Sequence, residues 1–265
     1  MPDPNELLDL ARRLALEASA LQREALGHVR TGVETKSTAT DVVTATDRAS
    51  ERLIVDGIRA ARPDDAILGE EGTLDAGTTG VRWVVDPLDG TTNFLYGIPS
   101  FGPSIAAEVD GVVVAGVVSD TGRGEVFEAT RGGGARLDGA PIAVNGHADL
   151  ATALVGTGFG YDAGRRAAQG RTLAQVLPKV RDVRRFGAAA IDLCWLACGR
   201  LDAYYERGLA PWDLAAGGLV AAEAGAIVGG LDDGEPASGD LVVAAAPGLV
   251  GPLRAVLAAA GAREG

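Results

Sequence analysis

Lysine is close to missing from this chain. Apart from Lys36 and Lys179 every Lys-or-Arg position is arginine, a bias of the kind a GC-rich genome produces and without a functional reading of its own. Positive charge as a whole is scarce: Lys and Arg number 24 against 36 Asp and Glu, for a net charge of −12. That balance excludes nucleic acid as a main partner, because a phosphate backbone needs a basic surface. Cysteine is limited to Cys194 and Cys198, spaced i,i+4 in an apolar stretch, which reads as two core thiols on one helix face. With His28 and His147 in unrelated segments, a zinc site is excluded as well. No apolar run is long enough to span a bilayer, and Asp3, Glu6, Asp9, Arg12 and Arg13 interrupt any signal-peptide core. The expectation is a cytoplasmic protein in a reducing compartment, without a membrane partner. Internal repeats and low-complexity linkers are missing too.

What is present is an ordinary globular composition over 265 residues, 47% hydrophobic and 23% charged, enough for one large domain or two packed halves. Leu7, Leu10, Leu14, Ala18 and Leu21 recur at helical spacing and predict a helix from residue 5 to about 30. Lys36–Asp41 reads as a loop. Helical spacing resumes over 45–61, with Thr46 or Asp47 as its N-cap. A short strand at 66–69 ends in Glu70-Glu71, and hairpin signals surround Asp110-Gly111 and Asp138-Gly139. Near 146–152 the texture changes. Strands at 153–155, 181–186, 202–206, 226–229 and 241–245 then alternate with helices at 164–178, 188–199, 213–224 and 249–260, an α/β pattern. The chain divides accordingly into an α+β subdomain, 1–146, and an α/β subdomain, 147–265, with a ligand cleft expected where they meet.

The stretch that organises the chain is Trp83-Val84-Val85-Asp86-Pro87-Leu88-Asp89-Gly90-Thr91-Thr92-Asn93-Phe94. It reads as a buried strand over 81–85, stopped at Pro87, then a tight turn or helix start. Asp86 and Asp89 suit Mg²⁺ or Mn²⁺, and the N–H groups at Gly90-Thr91-Thr92 suit a phosphate. Taken alone, it reads more readily as an Asp-rich surface turn, because Asp and Gly dominate turns. A second unusual stretch, Tyr204-Tyr205-Glu206 followed by Pro211-Trp212-Asp213-Leu214-Ala215-Ala216-Gly217, places Asp213 where a helix begins, the position of an N-cap or first-turn acid.

Together with Gly69-Glu70-Glu71, Val43-Thr44-Ala45-Thr46-Asp47 and Gly187-Ala188-Ala189, these segments resemble the signatures of the inositol monophosphatase family over about residues 5–260. Its members are Mg²⁺-dependent, lithium-sensitive phosphomonoesterases. The resemblance implies the layered αβαβα sandwich of the inositol monophosphatase/fructose-1,6-bisphosphatase type, and a homodimer. It implies that Glu70, Asp86 and the Leu88 carbonyl hold one Mg²⁺, and that Asp86, Asp89 and Asp213 hold another, within a set of two or three ions that Mn²⁺ can replace. Glu70, Asp47 and Thr91 become the catalytic residues, the last two orienting the attacking water. Asp89, Gly90, Thr91, Thr92, Gly187, Ala188, Glu206 and Asp213 become substrate contacts. Ala188 stands where relatives often carry threonine, and Pro211 where a polar residue or cysteine is common.

The chemistry agrees independently. Phosphate monoesters hydrolyse extremely slowly in water, and paired divalent ions about 4 Å apart can supply much of the missing rate. The motifs hold no Ser or Cys nucleophile and no His base, so in-line attack by a metal-activated water follows. Bound cations would also let so acidic a chain accept an anionic ester. The small phosphorylated metabolite expected is inositol 1-phosphate. The alternatives are histidinol phosphate, fructose 1,6-bisphosphate or 3′-phosphoadenosine 5′-phosphate, or a transcription-complex interaction protein. Arg165, Arg166, Arg171, Arg184 and Arg185 could serve a second phosphate or simply face solvent. A Ca²⁺-binding structural module is disfavoured, because the acids are scattered along the chain.

Overall fold

A computed structural model describes residues 2–26, 34–35 and 42–263. The loop expected at 36–41, His28 and the end of the first expected helix lie outside the described residues. Helix α1 (Pro4–Ala25) opens with Pro4 in its first turn, and Asp3 accepts from the Asn5 N–H. Strands β1 (Glu34–Thr35) and β2 (Val42–Val43) pair antiparallel, and α2 covers Ala45–Ala61. Next come β3 (Ala66–Gly69), β4 (Leu74–Asp75), β5 (Val81–Asp89) and the short α3 (Thr91–Tyr96). Five further strands are β6 (Gly102–Val109), β7 (Val112–Asp120), β8 (Glu125–Thr130), β9 (Gly134–Leu137) and β10 (Ala140–Ile142). They complete an eight-stranded sheet of order β10-β9-β8-β7-β6-β5-β3-β4, parallel only between β3 and β5.

The rest of the chain forms β11 (Leu154–Thr157), α4 (Ala163–Val176), β12 (Asp182–Arg184), α5 (Ala189–Ala197), β13 (Ala203–Glu206), α6 (Pro211–Glu223), β14 (Ile227–Gly229), β15 (Val242–Ala245) and α7 (Pro247–Ala259). Its sheet runs β12-β11-β13-β15-β14, with β11 parallel to both neighbours and β15 antiparallel to both of its own. No described helix is long and apolar enough to cross a membrane.

Side-chain alternation on strands turns these pieces into layers. Trp83, Val85, Ile105 and Ala107 face α1 and α2, while Val84 and Ala106 face the opposite way, onto α5 and α6. In the second sheet Tyr204, Val242 and Ala244 point into the same middle layer. Ala203, Tyr205, Val243 and Ala245 point outward to α7. The order is helices, sheet, helices, sheet, helices, the αβαβα sandwich that the resemblance implies. Covered on both sides, α5 is buried at every residue, Asp192 included, and α6 is buried over Ala216–Ala221.

Two local expectations are corrected. The strand that carries the aspartates does not stop at Pro87 but continues to Asp89. Asp86 pairs with Ser104 and Asp89 with Gly102, so β5 carries one extra residue there. Pro87 sits inside that bulge, where its missing N–H breaks no ladder bond, and Gln22 Nε2 donates to its carbonyl at 2.7 Å. The N-cap of α2 is Thr44 rather than Thr46 or Asp47. Thr44 Oγ1 accepts from the N–H groups of Thr46 and Asp47, while the Thr44 N–H donates to Asp47 Oδ2 at 2.9 Å. This capping box places Asp47 one turn inside the helix.

Candidate active site

The bulge explains why the two aspartates of the organising stretch act together. On a regular strand, residues three apart face opposite sides; with one residue extra, Asp86 and Asp89 both reach one cleft at the C-terminal end of β5. Asp86 is held there by the Leu88 N–H, which donates to its Oδ1 at 2.9 Å. Gly90 follows with a left-handed backbone, φ 83°. A side chain there would meet the Ser100 carbonyl and Ala188, so the turn into α3 requires glycine. Glu70 arrives from the end of β3, its N–H donating to the Val85 carbonyl at 3.1 Å. Asp213 arrives from the first turn of α6, where its Oδ2 accepts from the Ala210 N–H at 2.7 Å. Glu206 ends β13 and accepts a hydrogen bond from the Tyr204 hydroxyl.

The cleft so formed has a volume of about 340 Å³. Glu70, Asp86, Leu88, Asp89, Gly90, Thr91, Gly187, Glu206 and Asp213 line it. Thr92 and Ala188 stand outside its lining, Ala188 fully buried behind Gly90. Asp47 is reached through Thr91. The Thr91 hydroxyl oxygen lies 2.8 Å from Asp47 Oδ1 and 3.1 Å from the Leu88 carbonyl. With its proton given to Asp47, its lone pairs are left to accept another.

Burial governs the charges. It pushes Asp86 well above the usual carboxylate range, with Glu70, Asp89 and Asp213 adding repulsion. Burial likewise lifts Asp89 to about 7, against the pull of the Ala190 N–H and with Glu70 and Glu206 pushing the same way. Asp213 is raised by burial and then by Asp89, Glu206 to about 6 by burial, and Asp47 by burial despite its threonine partners. Among the described residues no three carboxylate, imidazole or thiol side chains already close around one point as a ligand shell. Backbone donors hold the carboxylates instead, the Ala190 N–H on Asp89 Oδ2 at 2.8 Å being the one that ties α5 to β5.

Two supporting residues escaped the sequence reading. Glu51, buried on α2, accepts from the Glu71 N–H at 2.8 Å, the Thr73 N–H at 3.3 Å and the Thr73 hydroxyl at 2.7 Å. It thereby fixes the loop that carries Glu70, and a side chain at Gly69 would strike its carboxylate. The available signal was an acid four residues after Asp47 on the apolar face of α2. Asn93 was in view within its motif but had no role. Its Nδ2 donates to the Ser100 carbonyl at 2.8 Å and the Phe186 carbonyl at 2.7 Å, clamping α3 to the segment that leads into Gly187.

A carboxylate-lined cleft beside a Thr–Asp pair, between two sheets of an αβαβα sandwich, defines a phosphatase class, and the comparisons agree. A family model, the inositol monophosphatase family, matches residues 3–263. The chain belongs to that family and is a phosphoric monoester hydrolase by class. It is 49% identical to an inositol-1-monophosphatase of Mycobacterium leprae, over 96% of this chain and 94% of that one. It is 40% identical to a Nus factor SuhB of Pasteurella multocida, over 93% of each. The crystal structure of the extragenic suppressor protein suhB from Bartonella henselae superposes with a TM-score of 0.90 at 34% identity, covering 95% of this chain and 98% of that one.

Proposed function

We propose that the protein hydrolyses a small phosphate monoester with Mg²⁺, inositol 1-phosphate being the first candidate. The observation that carries this reading is the Thr91–Asp47 hydrogen bond opening onto a cleft with five further acids, Glu70, Asp86, Asp89, Glu206 and Asp213, from four separate elements. The donor set fits a hard cation. It is all oxygen, without His or Cys, and its buried carboxylates repel one another until positive charge joins them. Glu70, Asp86 and the Leu88 carbonyl would hold one ion and Asp86, Asp89 and Asp213 another, with Mn²⁺ a workable substitute and a third ion within the reading. Bound there, the ions supply charge neutralisation and a lowered water pKa.

The residues do the rest. Thr91 passes the proton of the attacking water toward Asp47 Oδ1 and fixes the direction of attack, and Glu70 faces the same side. The N–H groups of Gly90 and Thr91, with Thr92 behind them, hold the phosphoryl oxygens. Gly187, Ala188 and Glu206 border the leaving alcohol. Residues 1–146 contribute the acids of β3 and β5, and residues 147–265 contribute Asp213 and the alcohol side, with the working enzyme a homodimer. A second reading, an interaction protein of a transcription complex, has the name of the Pasteurella relative behind it; the complete acidic set favours the enzyme.

The test is phosphate release from inositol 1-phosphate, histidinol phosphate, fructose 1,6-bisphosphate and 3′-phosphoadenosine 5′-phosphate, with Mg²⁺ and with Ca²⁺. Release that needs Mg²⁺ and is not supported by Ca²⁺ is expected. Its absence on every ester would overturn the reading.

A further inference from the structure

The buried stripe of α1 runs through Leu7, Ala11, Leu14, Ala15 and Ala18 and reaches position 22, where helical spacing calls for another apolar side chain and an amide stands instead. Gln22 is fully buried. Burying an amide is costly unless its donors and its oxygen find partners, and here they do. Nε2 donates to the Pro87 carbonyl at 2.7 Å and to Ser50 Oγ at 3.3 Å. Oε1 accepts from the Thr121 hydroxyl at 3.0 Å. The Pro87 carbonyl fixes which way round the amide sits, because a carbonyl can only accept. Behind Thr121, Ser19 Oγ lies 2.9 Å from Thr121 Oγ1 and 2.8 Å from Ser119 Oγ. All of these side chains are buried. They tie α1, α2 and the end of β7 together beneath the bulge of β5.

The contact with Pro87 matters because of what lies across the same peptide plane. The Pro87 carbonyl and the Leu88 N–H belong to one peptide group, and in a trans peptide they point in opposite directions. The carbonyl points into the core and meets Gln22. The N–H points the other way and donates to Asp86 Oδ1 at 2.9 Å. Pairing of β5 with β6 skips from Asp86 to Asp89, so among the described residues no pair of that ladder contains Pro87 or Leu88. The Gln22 amide takes the place of the missing ladder bond. One peptide further on is the Leu88 carbonyl, which accepts from the Thr91 hydroxyl at 3.1 Å.

We infer that Gln22 is a positioning residue for the cation site: by pinning the Pro87–Leu88 peptide from behind, it aims both the Asp86 carboxylate and the Leu88 carbonyl. This rests on the ligand set proposed above and adds to it a residue that does not itself line the cleft. Without the Nε2 donor the peptide is free to turn. The Leu88 N–H then leaves Asp86 Oδ1, and two ligands lose their aim together. Residues that orient metal ligands from outside change metal affinity by about 10- to 100-fold. The chemical groups in the cleft stay in place, so the loss should fall on cation binding and not on the turnover of the loaded site.

Two variants and two titrations test it. Gln22→Met keeps a side chain of similar length and removes both the donor and the amide oxygen. Ser19→Ala trims the same buried network without touching the Pro87–Leu88 peptide. Mg²⁺ is titrated first against melting temperature without substrate, since an ion that binds only the folded state raises it. It is then titrated against phosphate release from the best ester of the screen above. In EDTA both variants should melt below wild type, because each leaves buried polar groups short of a partner. The Mg²⁺ midpoints should separate them. Gln22→Met should need about tenfold more Mg²⁺ or beyond in both titrations, and Ser19→Ala should match wild type. At saturating Mg²⁺, Gln22→Met should recover most of its kcat with little change in KM. If Gln22→Met does not fold, Thr121→Val takes its place: it removes the hydroxyl that orients the amide, and its midpoint should move in the same direction. A midpoint equal to wild type, or one shifted as far by Ser19→Ala, overturns the inference and leaves the phosphatase reading in place. A wild-type melting temperature that does not respond to Mg²⁺ overturns the inference together with the ligand set. Absence of release from every ester, with the thermal titration as expected, overturns the phosphatase reading alone.

Discussion

The two walls of the cleft are built in opposite ways. One is nearly continuous in sequence: Asp86, Leu88, Asp89, Gly90 and Thr91 follow one another off β5, and only Glu70 and Asp47 are brought from outside. The other is assembled from scattered pieces, Arg165 on α4, Arg185 and Gly187 before α5, Glu206 on β13 and Asp213 on α6. The first wall is acidic and held by a strand, a bulge and a buried hydrogen bond, and it suits a fixed chemical step. The second is mixed in charge and glycine-lined, and it suits a choice of substrate. The difference teaches where to expect turnover and where to expect selectivity.

The largest effect should come from Asp89→Asn. Asp89 gives Oδ2 to the Ala190 N–H at 2.8 Å while lining the cleft. The carboxylate can serve both; an amide has one oxygen, for α5 or for a cation. Turnover should fall roughly 10³-fold with the fold retained, as read by phosphate release and circular dichroism. Near-wild-type activity at saturating Mg²⁺ would remove Asp89 from the chemical wall.

Thr91→Ala comes next. It deletes the hydroxyl 2.8 Å from Asp47 and keeps the backbone N–H. The turnover number should drop roughly 10²- to 10³-fold with little change in the Michaelis constant. Asp47→Asn should resemble it, and the double variant should be little worse than either single one, since both act on one proton. Additive losses would separate them and leave Asp47 as a helix-capping residue alone.

The same contrast governs what could be read before the fold was known. The chemical wall was legible because its acids, glycine and threonine sit within a few consecutive positions whose types match a known chemistry. The individual helices and strands were legible as well, because apolar periodicity switches between strand and helix spacing along the chain; their stacking into layers followed only from the family resemblance. Pro87 misled, since a proline inside a strand normally ends it and only pairing with Ser104 and Gly102 shows that it occupies a bulge. Glu51 was hidden because its partners, Glu71 and Thr73, are twenty or more residues away and are bound through backbone as much as side chain. The arginines of the second wall could be named but not sorted; which of five reach the cleft depends on how α4 and the Gly187 segment pack, which local sequence does not encode.

Glu51 supplies the third test, of how far the chemical wall depends on its backing. Glu51→Ala frees the loop that carries Glu70, and the Mg²⁺ concentration for half-maximal activity should rise about tenfold, the lower end for an outer ligand-orienting residue. Activity at saturating Mg²⁺ should largely return. An unchanged Mg²⁺ dependence would make Glu51 a packing residue only.

The acidic wall should also reveal itself in metal-free protein. Asp89 titrates near 7 in the folded chain, lifted first by burial, against about 3.9 when unfolded. The folded state therefore binds its proton more tightly, and stability falls as pH rises from about 4 to 7, with the full penalty present above 7. In EDTA, melting temperature should decline across that window. Asp89→Asn, which cannot acquire the charge, should melt about 2 °C or more above wild type at pH 7.5. Added Mg²⁺ should raise the wild type and narrow the gap. A wild-type melting temperature flat between pH 4.5 and 7.5 in EDTA would contradict the electrostatic picture of this wall.

The smallest effect probes the seam between the walls. Helix α5 begins after Ala188, whose side chain cannot cap it. The cap comes from the other wall: Asp89 Oδ2 accepts from the Ala190 N–H at 2.8 Å. An Ala-to-Ser change at an N-cap ordinarily gains about 1 kcal/mol. Here Ala188→Ser should gain almost nothing, because the Ala190 N–H that it would satisfy is already taken. In an Asp89→Ala background the same change should recover the ordinary gain, about 2–4 °C in melting temperature for a chain of this size. The difference between the two backgrounds measures the coupling across the seam, read in EDTA so that no cation contributes. Equal gains in both would mean that Asp89 does not cap α5, and that the two walls meet without sharing a residue.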